Sequence, residues 1–263
     1  MPDTASQFPP VLSERRGAVA LLTLNDPSRR NALSLPMREA LYDLLAQAMA
    51  DGAVRAIVIS GAEGGFCAGG DLRSMEDVGP VAAQARLRSA HRLVRLIVGG
   101  EKPVIAAVEG DAAGAGLSLA AACDVVLAAE TARFIAAFDK VGLMPDLGAL
   151  WTVPARCGNS ASRRLLLLGE VFDGREAARW GLADKVVAPG QALSEALAAA
   201  ERLTAGAPLA IAAVKAVLAR GPQALDVVLD GEADGQAVLF SSQDFAEGRQ
   251  AFFEKRKPQF TGR

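Results

Sequence analysis

The chain has 263 residues, of which 51% are apolar and 22% charged, with 28 Lys and Arg against 30 Asp and Glu and a single histidine. That composition is enough for a large core and excludes a disordered tail. The near-balance of charge gives no basic footprint for nucleic acid and no acidic block. The single histidine excludes any metal centre built on several imidazoles.

The longest uncharged runs, Ala112–Cys123 and Leu203–Val214, fall well short of the about 20 residues that a membrane span needs, so no membrane partner is expected. Met1–Pro10 has neither a basic start nor an apolar stretch, so no secretory leader is expected. Cys67, Cys123 and Cys157 are an odd, sparse set without metal-ligand spacing. They suggest a reducing, cytoplasmic setting with no disulfide framework and no metal.

In chain order, Gly17–Leu24 reads as a short apolar strand that Asp26-Pro27-Ser28 breaks. Ser34-Leu-Pro36 with Glu39 opens a helix to about Ala50, with Leu41, Leu44, Leu45 and Ala48 on its apolar face. Val54–Ser60 is the next strand, and Gly61–Gly70 a glycine-rich loop. Val81–Val98 reads as a helix, Pro103–Val108 as a buried strand, and Gly110–Gly116 as a second glycine-rich turn. Leu117–Ala122 continues as a helix, and Asp124–Ala128 is another strand. The alternation of strand, loop and helix gives an α/β core over residues 1–190. From there on the segments Gln191–Thr204, Pro208–Arg220, Pro222–Phe240 and Gln243–Phe253 all read as helices, a helical C-terminal region over 191–263 docked on the core or on a neighbouring subunit.

Each glycine turn follows a strand and precedes a helix, which leaves unpaired backbone N–H groups at a helix start, where negative charge is favoured. Two such turns could converge on one oxygen; taken singly, each reads as punctuation between strand and helix. Gly114-Ala-Gly116-Leu-Ser-Leu119 lacks the third glycine of a dinucleotide loop. Gly116-Leu-Ser118-Leu-Ala120 looks a little like a hydrolase nucleophile elbow, but no histidine follows it.

Taken together, Asn31-Ala32-Leu33, Phe66-Cys-Ala-Gly-Gly-Asp71-Leu72, Lys102–Gly110 with Ala113-Gly-Ala-Gly116, Ala122-Cys-Asp124 and the tail Glu247–Pro258 resemble the crotonase (enoyl-CoA hydratase/isomerase) superfamily. The resemblance covers nearly the whole chain. It implies a crotonase-like spiral of β-β-α units with a C-terminal helical trimerisation region, a homotrimer or hexamer, and an acyl-CoA thioester as substrate. No cofactor is implied beyond the coenzyme A of that substrate. The oxyanion donors would be the N–H groups of Gly70 and Ala115. Arg29, Arg30 and Ala32 would lie where the CoA nucleotide enters, with the Ala68 carbonyl and Asp71–Leu72 along its adenine end. Phe252 and Lys255 match positions that reach the CoA of a neighbouring subunit.

The hydratases of this family use two glutamates. Their positions here hold Ser118 and, four residues after the phenylalanine of Ala132-Arg-Phe134, Phe138. Val141-Gly-Leu-Met-Pro145-Asp146 instead resembles the isomerase branch, in particular the ring-1,2-epoxyphenylacetyl-CoA isomerases of phenylacetate degradation, where a single aspartate is the acid/base. That role falls on Asp146, with Leu143, Met144, Leu147 and either Phe138 or Trp151 expected around it to raise its pKa by desolvation. Without the resemblance, Asp146 reads as a helix cap. His91 reads as a structural histidine; in the dehalogenase branch a histidine on this helix activates water, a role against which Phe138 argues. Cys67 reads as a small filler. The competing functions are an isomerase, a hydratase and a non-catalytic acyl-CoA binder.

Overall fold

The structure is a computed structural model that describes residues 9–75 and 79–263. The leader expectation for Met1–Pro10 falls, as far as residue 8, outside the described residues.

β1 (Val11–Arg16) and β2 (Val19–Leu24) form an antiparallel hairpin, with Val11 opposite Leu24 and Arg16 opposite Val19. β1 is exposed at every residue but its first, so its Glu14, Arg15 and Arg16 guard the sheet edge against further pairing. β3 (Ala56–Gly61), β4 (Val104–Val108), β6 (Val125–Ala129) and β9 (Lys185–Val187) then add in parallel, in the order β1-β2-β3-β4-β6-β9. A smaller sheet joins β5 (Asp111–Ala113), β7 (Arg133–Ile135) and β8 (Phe172–Asp173).

The main sheet is buried on both faces, which is why its strands read as unbroken apolar runs. Leu22, Leu24, Ile57, Ile59, Val104 and Ala106 enter one core, against α1 (Leu35–Ala50), α2 (Pro80–Gly99), α3 (Ala115–Ala122), α4 (Ala149–Leu167) and α5 (Gly174–Trp180). The alternate residues Val19, Leu21, Ala56, Val58, Ile105 and Ala107 enter a second core. That face is closed by Ala192, Ala196 and Ala200 of α6 (Ala192–Thr204). The expected division at residue 190 thus falls between β9 and a helix that lies on the sheet.

Ser34 caps α1, its side chain accepting from the Met37 N–H at 3.3 Å. α7 (Pro208–Leu218) is tied down by Lys215, whose Nζ donates to Asp124 Oδ2 at 2.6 Å and to the Lys102 carbonyl at 2.7 Å. α8 (Leu225–Phe240) and α9 (Gln243–Glu254) complete the chain, and the Thr261 and Gly262 N–H groups return to the Asp244 carboxylate at 2.6 and 2.9 Å. Among the described residues no single helix is long and apolar enough to cross a membrane.

Candidate active site

The two glycine turns are packed against each other. The Cys67 N–H donates to the Asp111 carbonyl and the Ala113 N–H to the Cys67 carbonyl, both at 2.9 Å, so the first loop runs as a strand beside β5. The contact is so close that a Cβ on Gly116 would lie 2.3 Å from the Cys67 oxygen. A Cβ on Gly69 would lie 2.8 Å from the Ala113 oxygen and 3.6 Å from the Ala115 nitrogen. Gly69 has φ +105° and Gly114 φ +49°, conformations that favour glycine. The Ala115 nitrogen, at the first residue of α3, and the chain just before Gly70 therefore meet at one place. Neither the Gly70 nor the Ala115 N–H donates to a carbonyl among the described residues. Cys67 is buried inside this junction, where desolvation pushes its thiol up to about 12, so it is an inert filler.

Phe138 is buried with its ring edge 4.0 Å from where a Cβ on Gly114 would stand, so it packs on the second turn. Ser118 is fully buried on α3, its hydroxyl donating back to the Gly114 carbonyl at 3.2 Å. The two positions that hold glutamates in hydratases are therefore an aromatic wall and a helix-bound hydroxyl.

Asp146 is half-buried, and its Oδ1 is enclosed with no hydrogen-bond partner. Its side chain does not cap a helix: α4 begins after Gly148, and it is the Asp146 carbonyl that accepts the Ala149 N–H at 3.0 Å. Leu147 (φ +47°) and Gly148 (φ +78°) form a left-handed turn that swings the chain from Asp146 into α4. A Cβ on Gly148 would meet the Val94 side chain of α2 at 3.2 Å, which places this turn against α2. Burial raises the Asp146 carboxyl above the ordinary carboxylate range; the nearby Arg38, His91 and Arg86 side chains oppose the rise without cancelling it.

The expected apolar surroundings need correction. Leu147 is buried, but Leu143, Met144 and Trp151 are 50%, 69% and 44% exposed. Trp151 instead packs on Gly221, whose Cβ position lies 3.1 Å from its ring. Beside burial, the side chains that act on Asp146 are Arg38 of α1 and, from α2, His91 and Arg86. Arg38 escaped the sequence reading, although it lies on the stripe Arg38, Leu41, Leu45, Ala48 of α1; a charge on that inward stripe was the available signal.

Residues expected around coenzyme A are partly gathered. The Asn31 side chain, itself buried, accepts the Asp26 N–H at 2.9 Å and donates to the Ala62 and Gly65 carbonyls at 3.1 and 2.9 Å. The Ala68 N–H donates to the Arg30 carbonyl at 3.0 Å and the Leu33 N–H to the Gly69 carbonyl at 2.7 Å. Arg29 pairs with Asp71 at 3.5 Å. Arg29, Arg30, Ala32, Ala68 and Asp71 thus form one rim beside Gly70, while Leu72 is exposed in the following turn, Leu72–Met75. Phe252 and Lys255 lie at the far end of α9. Among the described residues no hydrogen bond, ion pair or ring contact joins them to the glycine turns.

The enoyl-CoA hydratase/isomerase family model matches residues 14–263. A 1,2-epoxyphenylacetyl-CoA isomerase of Escherichia coli is 38% identical over 96% of this chain and 98% of its own length. A crotonyl-CoA hydratase of Syntrophomonas wolfei is 34% identical over 95% and 97%. The crystal structure of an enoyl-CoA hydratase from Polaromonas superposes with a TM-score of 0.90 at 37% identity, covering 95% of this chain and 99% of the other. Fold, motifs and relatives agree: the chain belongs to the enoyl-CoA hydratase/isomerase family and has the crotonase fold.

Proposed function

We propose that the chain is an acyl-CoA isomerase that shifts a double bond, or rearranges a ring, through an enolate, with Asp146 as its one acid/base. The observation that carries this reading is an enclosed Asp146 Oδ1 without a hydrogen-bond partner, together with Phe138 and Ser118 at the two hydratase positions. Coenzyme A is part of the substrate, and no other cofactor is needed. The Gly70 and Ala115 N–H groups hold the thioester oxygen as negative charge develops on it; a single such donor is worth about 3 kcal/mol. Asp146 takes a proton from the acyl chain, keeps it while the double bond moves, and returns it at another carbon. One carboxylate suffices because the proton is recycled. The likeness to the Escherichia coli 1,2-epoxyphenylacetyl-CoA isomerase supports this branch. We place the reaction in phenylacetate degradation or fatty acid metabolism, in the cytoplasm.

The test is an unsaturated acyl-CoA panel incubated in heavy-oxygen water and followed by mass spectrometry. Isomerisation gives positional isomers with no added mass. Incorporation of oxygen into the main product favours hydration, the second reading, which the crotonyl-CoA hydratase likeness keeps in view. We assign the working form to a homotrimer or a dimer of trimers, assembled through α7–α9, where Val214, Leu218, Leu225, Val238 and Phe240 are each at least 60% exposed.

A further inference from the structure

Among the described residues, the buried side-chain nitrogens and oxygens without a hydrogen-bond partner are Asp146 Oδ1 and the Nε and Nη2 of Arg38. The proposed proton transfer accounts for the first, since an acid/base must stay free to meet its proton. It does not account for Arg38. Buried N–H groups of a guanidinium without an acceptor are costly and call for a partner.

The two nitrogens are not an arbitrary pair. Nε and Nη2 lie on one edge of the guanidinium, and their N–H bonds run parallel, spaced to meet the two oxygens of one carboxylate. The groups around them do not fill that edge. Arg86 is already engaged, its fork donating to the Ser74 carbonyl at 3.1 Å and to the Ser74 hydroxyl at 2.8 Å. Glu39, next in the chain, is exposed and makes no ion pair with Arg38 among the described residues. Asp146 attracts Arg38 through space, but no ion pair joins them. Arg38 and Arg86 thus lie within electrostatic reach of two carboxylates, Asp146 and Glu39, and neither carboxylate occupies the Nε–Nη2 edge.

The geometry points to Arg38 as the recognition element for a carboxylate carried on the substrate's acyl group, beyond the reacting carbons. The substrate class is then a thioester of coenzyme A with a dicarboxylic acid, its free carboxylate seated on the Nε–Nη2 edge. This rests on the acyl-CoA reading of the site, but not on whether the reaction is isomerisation or hydration.

Binding of unreactive saturated thioesters tests it on the full-length protein. Glutaryl-, adipyl- and suberyl-CoA are compared by titration calorimetry with pentanoyl-, hexanoyl- and octanoyl-CoA. At one length or more, the carboxylate-ended thioester is expected to bind about tenfold or more tightly, the worth of one charge-assisted contact. In Arg38→Met that ratio falls to near one, and Arg38→Lys recovers part of it. If the wild-type protein shows no preference at any length, the inference is overturned, and this arm needs no variant to fold. A preference that survives in Arg38→Met overturns it as well. So does an equal loss for both series, which would make Arg38 only the counter-charge of Asp146. Binding of no thioester at all overturns the acyl-CoA reading together with this one.

Discussion

Asp146 combines two properties that a structural aspartate does not need: an enclosed oxygen without a partner, and a carboxyl raised above its ordinary range by burial. Asp146→Asn keeps the shape and removes the proton acceptor. We expect kcat for isomerisation to fall about 10²–10⁴-fold, the usual worth of a positioned acid/base. Binding of a saturated acyl-CoA should survive, because no side-chain hydrogen bond of Asp146 holds the fold. The same burial fixes two signs of pH dependence. The first step needs the carboxylate, so kcat should fall as pH drops through a pKa above that of a free aspartate. For stability, the folded state binds its proton more tightly than the unfolded one. The favourable contribution is complete below the unfolded pKa and lost as pH rises through the folded pKa. Asp146→Asn should therefore melt at a higher temperature than wild type at neutral pH, with the gap closing near pH ~4. A variant that turns over normally would contradict the assignment; one less stable than wild type at neutral pH would show that Asp146 holds the fold after all.

Elements that a sequence announces are those whose physics is local. α1 was legible within a residue or so because Ser34, Pro36 and the stripe Leu41, Leu45, Ala48 supply a cap, a first turn and a buried face. β3, β4 and β6 were legible as apolar runs for the same reason. β1 was missed, because an edge strand that reads Leu-Ser-Glu-Arg-Arg after its first residue has no apolar face to show. β5, β7 and β8 were missed because strands of two or three residues carry no period; only the tertiary pairing defines them. The same division runs through the candidate site. The two glycine turns could be read from spacing, whereas their contact with each other, and the cations beside Asp146, come from elements far apart in the chain. That contact can be tested at the scale of the element. In Gly116→Ala the new Cβ would stand 2.3 Å from the Cys67 carbonyl oxygen and 2.8 Å from the Cys67 Cβ, so α3 must back away from the first turn. Overpacking of this kind costs about 1–3 kcal/mol. A shift of ~1 Å between oxyanion donors costs about 10²-fold in rate. Gly99→Ala at the end of α2 has nothing within 4 Å of its new Cβ and serves as the control, with melting temperature and kcat near wild type. Equal behaviour of the two variants would show that the turns tolerate separation.

For the whole molecule the telling element is α8. It has 16 residues and buries none of them within the chain. Its partly covered side is the stripe Val228, Gly231, Gly235 and Leu239. The flanks stay open: Leu225, Leu229 and Phe240 on one side are 69%, 48% and 62% exposed, and Val227 and Val238 on the other are 49% and 68% exposed. Most helical stability in proteins comes from packing an apolar face, so a helix with two bare apolar flanks needs a cover that the described residues of one chain do not supply. A second and third copy, docked through the same region, would supply it. They would also bring Phe252 and Lys255, both exposed on a single chain, toward a neighbour's coenzyme A. Light scattering of the purified protein should then give three or six chain masses. Leu229→Glu places a charge in the covered flank and should shift the protein toward monomer. If α9 completes a neighbour's site, KM for acyl-CoA should rise along with dissociation and fall again at high protein concentration. A wild-type protein that stays monomeric at all concentrations would contradict this assembly. A Leu229→Glu monomer with unchanged KM would leave the assembly in place but confine each active site to a single chain.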